Sequence, residues 1–259
     1  MRILGADFSG AKASNIALAS GVLQGRRLTV EHLYACDDRL DLYYLLASTF
    51  DAPFLCGLDF PFRLSAVAAA RLEGAALHEL ALTHDRRTFA AILERRIGVY
   101  EGKCASASIY CRETDAACGA YSGMKRVNPS LVSMLYAGSK LLFYLCSSGV
   151  APYPLSAPSP RQVCEVYPSH TWAKVGMKRS TNVRAFVDSF NALGIIHVEL
   201  PARYDVAATQ DIADSIVACI TAAAVQARDD IFHNWSQRPS FITDAEWAAA
   251  GVEGLIVRI

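Results

Sequence analysis

The spacing of apolar residues along the chain predicts a protein built from both strands and helices. Continuous or alternating apolar runs predict strands over residues 2–8, 15–23, 28–35, 53–62, 162–169, 195–200 and 251–259. Apolar residues that recur every three or four positions predict helices over residues 37–50, 64–96, 129–148, 183–193 and 209–224. Polar turns at 9–14 and 25–27 join the first three strands, so these strands are expected to pair antiparallel.

The order of these elements predicts the fold class. Three antiparallel strands are followed by a helix, a fourth strand, an insertion over residues 63–160, a further strand and a closing helix. The insertion is predicted to be helical, with a loop at 102–129. This order is typical of the ribonuclease H-like fold, an α/β structure in which a mixed sheet combines a three-strand antiparallel meander with parallel strands and carries helices on both faces. We expect residues 1–259 to form a single domain of this kind.

Carboxylates occur where this fold would bring them together. Asp7 ends the first strand, Asp59 ends the fourth, and Asp211 and Asp214 lie in the first turn of the closing helix. One acid in a first helical turn is ordinary, because the free N–H groups there carry partial positive charge. Two acids three residues apart repel each other and favour a cation between them. The convergence of three separate segments therefore predicts a metal site.

Clustered carboxylates support one kind of chemistry well. Their hard oxygen atoms select Mg²⁺ or Mn²⁺. Two such ions, about 4 Å apart, can activate a water molecule and stabilise the leaving oxygen when a phosphodiester bond is hydrolysed. In this interpretation Asp7 bridges the two ions, Asp59 holds one of them, and Asp214 or Asp211 holds the other. The sequence thus predicts a metal-dependent nuclease with Asp7, Asp59 and Asp214 as catalytic residues.

Further charged residues are candidates for the site. Glu165, near the end of the strand at 162–169, is either a fourth catalytic carboxylate or a residue that orients a neighbouring tyrosine or arginine. Cations are concentrated in the insertion, and those expected to bind the nucleic acid substrate are Arg86, Arg87, Lys125 and Arg126. The alternative interpretation of these four cations is an ordinary solvated surface.

Composition and charge limit the classes of protein that fit. The chain has 259 residues, of which 53% are hydrophobic, so a sizeable buried core is expected. Lys+Arg and Asp+Glu both number 25, which argues against a protein that coats nucleic acid without specificity. We expect no signal peptide, no membrane-spanning segment and no obligate protein partner. The eight cysteines form no C-x-x-C motif, so we expect reduced thiols and a cytoplasmic protein.

Several motifs in this order resemble one family. GADFSGAK, LDFPF, EVYPSHTW, DIADSIVACITAAA and EGLIVRI together resemble the predicted ribonuclease H-like nucleases known as domain of unknown function 429, over nearly the whole chain. The opening of the last helix also resembles that of Holliday-junction resolvases. The resemblance implies that Asp7, Asp59 and Asp214, with Asp211, occupy the acidic positions of the family. It also implies that Glu165 is the glutamate of its E-V-Y-P motif.

Two other functions fit the same fold. Sugar kinases and chaperone ATPases share it, and GADFSGAKASNIALA resembles their first phosphate loop. The sequence contains no second Asp-Gly-Gly-type phosphate loop and no Gly-Gly adenosine motif, so an ATP-dependent phosphotransferase is the alternative and not the first choice. A non-catalytic ribonuclease H-like binding protein is the other alternative. For the nuclease, both DNA and RNA fit as substrate.

Overall fold

A computed structural model of the chain describes residues 1–8, 16–50, 53–127 and 130–259. The described residues form one mixed sheet, and its strands are β1 (Arg2–Asp7), β2 (Ile16–Gln24), β3 (Arg27–Cys36), β4 (Phe54–Asp59), β5 (Ala151–Tyr153), β6 (Arg161–Val166), β7 (His197–Glu199) and β8 (Ile256–Val257). The strands lie in the order β5-β6-β4-β1-β2-β3-β7, and β8 also pairs with β6. The predicted α/β class and mixed sheet are confirmed.

The sheet has an antiparallel part and a parallel part that meet at β1. β1 pairs antiparallel with β2, and β2 pairs antiparallel with β3. On the other side β4 runs parallel to β1, and β6 runs parallel to β4. β5 and β8 both pair parallel with β6, and β7 pairs parallel with β3. The carboxyl ends of β1, β4 and β6 therefore meet at one edge of the sheet.

Helices cover both faces of this sheet. They are α1 (Arg39–Tyr44), α2 (Ala66–Ala70), α3 (Leu77–Thr83), α4 (Arg86–Arg96), α5 (Glu113–Cys118), α6 (Leu131–Ser147), α7 (Pro168–Lys174), α8 (Val183–Ala192), α9 (Gln210–Asp229) and α10 (Asp244–Glu253). One core contains Ile3 and Leu55 with the apolar sides of α8 and α9. The opposite core contains Leu4 and Cys56 with residues of α1 and α6. None of the described helices is both long and apolar enough to cross a membrane.

The insertion contains more structure than its sequence pattern predicts. The predicted helix at 64–96 is divided into α2, α3 and α4, because Glu73 and Gly74 adopt positive φ angles and Asp85 caps a new helix start. The predicted loop at 102–129 contains α5, and the proline-rich connector that follows α6 contains β5. The first predicted turn, at residues 9–14, lies outside the described residues.

Two cysteines of the insertion depart from the expectation of reduced thiols. Cys104 and Cys111 form a disulfide across a sequence separation of 7 residues. Their Cα atoms lie 5.7 Å apart, which is a usual distance for such a bond. The sequence contains no sign of this pairing, because the loop that brings the two residues together has no regular period. The other described cysteines are free thiols.

Two glycines allow α9 to lie directly on the sheet. A Cβ atom at Gly5 would lie 2.0 Å from the backbone nitrogen of Cys219 and 2.5 Å from the carbonyl oxygen of Ser215. A Cβ atom at Gly57 would lie 2.9 Å from the carbonyl oxygen of Ala218. These neighbours are backbone atoms, so no side-chain rotation relieves the overlap. The contact fixes the height of α9 above β1 and β4, and with it the position of the first turn of α9.

Replacing Gly5 should therefore destabilise the protein strongly. Gly5→Ala forces the α9 backbone away from β1, and we expect the free energy of unfolding in urea to fall by about 3 kcal/mol or more. Gly251→Ala is the matched control, because Gly251 lies in α10 and a Cβ there meets nothing within 4 Å. The control should be neutral or slightly stabilising. Equal stability of Gly5→Ala and wild type would contradict the close contact.

Candidate active site

Asp7 and Asp59 form a direct pair at the carboxyl ends of two parallel strands. They are the last residues of β1 and β4, and the register of the two strands places them opposite each other. Side chains alternate between the faces of a strand, so both carboxyls lie on the same face as Gly5 and Gly57, which is the face covered by α9. Both line a cavity of about 610 Å³. The structure thus brings together two carboxylates that lie far apart in the sequence.

This pair holds protons more tightly than ordinary aspartates do. Burial raises the pKa of Asp59 from 3.8 to about 7, and repulsion from Asp214 adds to the shift. The pKa of Asp7 is raised well above its usual value, first by burial and then by the charge of Asp59. A hydrogen bond between the two side chains acts against the shift of Asp59. A cation bound to this pair would therefore compete with protons for the carboxylate oxygens of Asp7 and Asp59.

The two acids of α9 occupy different environments. Asp214 is fully buried, and its Oδ1 accepts hydrogen bonds from Trp172 Nε1 at 2.8 Å and from Gln210 Nε2 at 3.0 Å. Its Oδ2 accepts a hydrogen bond from Arg179 Nη2. Asp211 lines the cavity together with Asp7 and Asp59, whereas Asp214 is not among the described lining residues. Asp214, which is predicted to be catalytic, thus lies outside the described cavity lining, and Asp211 is the acid of α9 that reaches the cavity.

Glu165 belongs to a buried ion-pair network that lines another part of the same cavity. Its carboxylate accepts hydrogen bonds from both terminal nitrogens of Arg112, at 2.7 and 2.5 Å, and from the backbone N–H of Phe62 at 2.9 Å. Arg112 is also bound by Asp115, at 2.7 and 3.0 Å. In the register of β4 and β6, Glu165 lies opposite Leu58 and not opposite Asp59. Its side chain therefore leaves the sheet on the face opposite to that of Asp59. Of its two predicted roles, the arrangement matches a residue that orients an arginine.

The four cations predicted to bind substrate are divided between different places. Arg126 lines the cavity and forms an ion pair with Glu94. Lys125 is buried, and its Nζ lies 4.5 Å from the centroid of the Tyr121 ring, which also lines the cavity. Arg86 and Arg87 begin α4 and are absent from the described cavity lining. Of the four predicted cations, only Arg126 is among the described lining residues of the cavity.

Arg179 and Trp172 belong to the site although no sequence pattern predicts them. Arg179 lies in the segment between α7 and α8, and its side chain lines the cavity. Trp172, in α7, is fully buried and contacts the ring of Phe186 at a centroid distance of 4.6 Å. The EVYPSHTW motif includes Trp172, and a tryptophan shortly after an acid-bearing strand was the available signal. Arg179 carries no local signal, because its contact with Asp214 depends on the packing of α7 against α9.

The donor set at the pair fits a divalent cation such as Mg²⁺ or Mn²⁺. Within the described residues, no three His, Cys, Asp or Glu side chains are grouped so as to hold one metal ion. Mg²⁺ is commonly bound by only one or two carboxylates, with water and substrate phosphate as its other ligands. Asp7 and Asp59 match that description, and neither forms an ion pair with a basic side chain among the described residues, since Arg179 pairs with Asp214. Comparison of the chain with protein-family models and with curated proteins finds no match.

The raised pKa of Asp59 should appear in the pH dependence of stability. Below pH 3.8 Asp59 is protonated in both the folded and the unfolded protein, so Asp59→Asn should resemble wild type. Between pH 3.8 and about 7 the unfolded state loses its proton first, so wild type should lose stability relative to the variant. Above that window the difference should stay constant, at roughly 2 to 4 kcal/mol.

Urea unfolding from pH 4 to pH 8, in the presence of a chelator, measures this difference. Asp188→Asn is the matched control, because Asp188 is an exposed aspartate of α8. The control should show a small difference from wild type that does not grow over the window. A difference for Asp59→Asn that is independent of pH would contradict the account.

The network of Glu165 leads to a different prediction. Glu165→Gln removes one charge from a buried cluster in which Arg112 is only 2% exposed, and we expect the free energy of unfolding to fall by about 3 kcal/mol. Glu94→Gln is the matched control, because the Arg126–Glu94 pair is 43% and 47% exposed and should contribute less than about 1 kcal/mol. Equal effects in the two variants would show that Glu165 is not the structural partner of Arg112.

Proposed function

We propose that the protein is a metal-dependent nuclease of the ribonuclease H-like fold that hydrolyses phosphodiester bonds in DNA or RNA. The observation that carries the proposal is the in-register pair of Asp7 and Asp59 on neighbouring parallel strands inside a cavity. The strand order β3-β2-β1-β4-β6, with its antiparallel first part, supports the same fold. The resemblance to domain of unknown function 429 remains a prediction.

The contrast between two buried acidic clusters supports a functional role for the pair. Glu165 and Asp115 share the guanidinium of Arg112, which forms two hydrogen bonds with each carboxylate, although burial still raises the pKa of Glu165. Asp7 and Asp59 have no such direct cationic partner among the described residues, and burial raises the pKa of both. A pair that is held together at a cost in stability, in a cavity, is typical of a site that binds a cation or a substrate.

The residues around the pair would perform distinct tasks in hydrolysis. Bound Mg²⁺ or Mn²⁺, most simply as two ions, supplies the positive charge that activates water and stabilises the leaving oxygen. Asp7 and Asp59 would hold these ions, and Asp211 would add a carboxylate from the first turn of α9. Phe8 and Phe60, whose ring centroids lie 4.6 Å apart, form an apolar part of the wall beside the pair. Arg126 would contact the substrate from the insertion.

The phosphotransferase alternative is tested alongside the nuclease. The segment that resembles a first phosphate loop falls largely on residues 9–15, which lie outside the described residues. A kinase of this kind should bind ATP tightly in the presence of Mg²⁺, whereas a nuclease should not. Calorimetric titration with Mg²⁺ and ATP therefore separates the two proposals. Tight binding would favour the kinase.

The nuclease proposal predicts a metal response that depends on Asp7. Mn²⁺ or Mg²⁺ should raise the melting temperature of wild type, because a cation relieves the repulsion within the pair only in the folded state. With Mn²⁺, wild type should cleave at least one substrate among single-stranded and duplex DNA and RNA. Asp7→Asn should melt higher than wild type without metal, should lose the metal response, and should lose cleavage by about a thousandfold or more.

Asp188→Asn serves again as the matched control and should retain both the metal response and the cleavage. Differential scanning fluorimetry and gel-based cleavage assays measure the two effects. A metal-induced rise in melting temperature that survives in Asp7→Asn would place the ions elsewhere. Absence of cleavage of every substrate by wild type, with metal bound at the pair, would favour the non-catalytic binding protein.

A further inference from the structure

Arg179 is a cavity-lining cation that uses little of its hydrogen-bonding capacity. Within the described residues it makes one hydrogen-bonded contact, from Nη2 to Oδ2 of Asp214. A guanidinium carries five N–H donors in a rigid planar fork. The side chain of Arg179 is 46% exposed, whereas that of Asp214 is 0% exposed. Most of the donors of Arg179 therefore remain available at the cavity wall.

Asp214 holds the guanidinium of this arginine in place. Trp172 and Gln210 both donate to Oδ1 of Asp214, so this oxygen has two neutral partners and Oδ2 is left for Arg179. Trp172 is itself fixed by its buried contact with Phe186. A carboxylate held at one oxygen by packed side chains directs its other oxygen in a defined direction. The guanidinium of Arg179 is thus positioned from behind the cavity wall.

Arg179 and the acid pair face the same cavity. The charge of Arg179 acts against the rise in the pKa of both carboxyls of the pair, Asp7 and Asp59. Phosphate is repelled by a cavity lined by Asp7, Asp59 and Asp211, and a fixed cation beside them offsets that repulsion. The planar fork of an arginine also matches two phosphate oxygens at once.

We infer that Arg179 binds the non-bridging oxygens of a substrate phosphate beside Asp7 and Asp59, and that Asp214 is its positioning residue and not a ligand of the metal. This inference rests on the proposed phosphodiester substrate. It assigns the two acids of α9 to different tasks: Asp211 belongs to the cavity, and Asp214 belongs to the support of Arg179. Trp172 and Gln210 act through Asp214 and do not touch the substrate.

Binding of inorganic phosphate, measured by calorimetry with and without Mg²⁺, tests the role of Arg179 without requiring cleavage. Arg179→Gln should weaken phosphate binding by about tenfold or more, because charge-assisted hydrogen bonds are lost. Arg179→Lys should not restore it, since an ammonium lacks the fork. Asp214→Asn should weaken binding by a smaller factor. Lys178→Gln is the matched control, because Lys178 is exposed and is absent from the described cavity lining, and it should bind phosphate like wild type.

A second measurement separates a positioning role for Asp214 from a role as metal ligand. The rise in melting temperature with Mn²⁺ should survive in Asp214→Asn and in Arg179→Gln. Equal phosphate affinity in Arg179→Gln and wild type, or no phosphate binding by wild type under either condition, would overturn the role of Arg179. Loss of the Mn²⁺ response in Asp214→Asn would overturn the role of Asp214. Phosphate binding that depends on Arg179, in a protein without any metal response, would support this inference while the nuclease proposal fails.

Discussion

The contact of the α9 backbone with the backbones of β1 and β4 determines where every acidic side chain of the site lies. Gly5 and Gly57 permit this contact, because any larger residue would overlap with backbone atoms of α9. Two residues after each glycine, on the same face of the sheet, come Asp7 and Asp59. The first turn of α9 extends past the same edge and brings Asp211 to the cavity. The acidic site is thus a consequence of how closely one helix lies on two strands.

Charge balance distinguishes the two acidic clusters at the carboxyl ends of the strands. The cluster around Arg112 connects α5, β6 and the end of α10, since this arginine also donates to the carbonyl oxygen of Glu253. It attaches the insertion to the sheet, and both of its carboxylates have a direct cationic partner in Arg112. The pair of Asp7 and Asp59 is not neutralised in this way, and Arg179 is directed first to Asp214. The Arg112 network thus ties elements together, and the neighbouring pair of Asp7 and Asp59 is the one to which the proposed metal site is assigned.

The sequence predicts the strands and the helix that carry the acidic residues, because these elements follow local hydrophobic periods. Strand periods place Asp7 and Asp59 at strand ends, and the helical period places Asp211 and Asp214 on the same helix, although only Asp211 lies in the first turn of α9. The orientation of those two acids could not be predicted, since it depends on Trp172 in a helix that the sequence pattern does not reveal. The disulfide of the insertion could not be predicted either, because the segment that contains Cys104 and Cys111 has no regular hydrophobic period. Arg179 becomes part of the site only through tertiary packing.

Anomalous diffraction from a crystal soaked in Mn²⁺ tests the central claim, that Asp7 and Asp59 form a cation site, most directly. The account predicts a manganese peak whose protein ligands include carboxylate oxygens of both Asp7 and Asp59, with Asp214 still bound to Arg179. A peak bound to Asp214 in place of Arg179, or a soaked crystal with no peak at the pair, would contradict it.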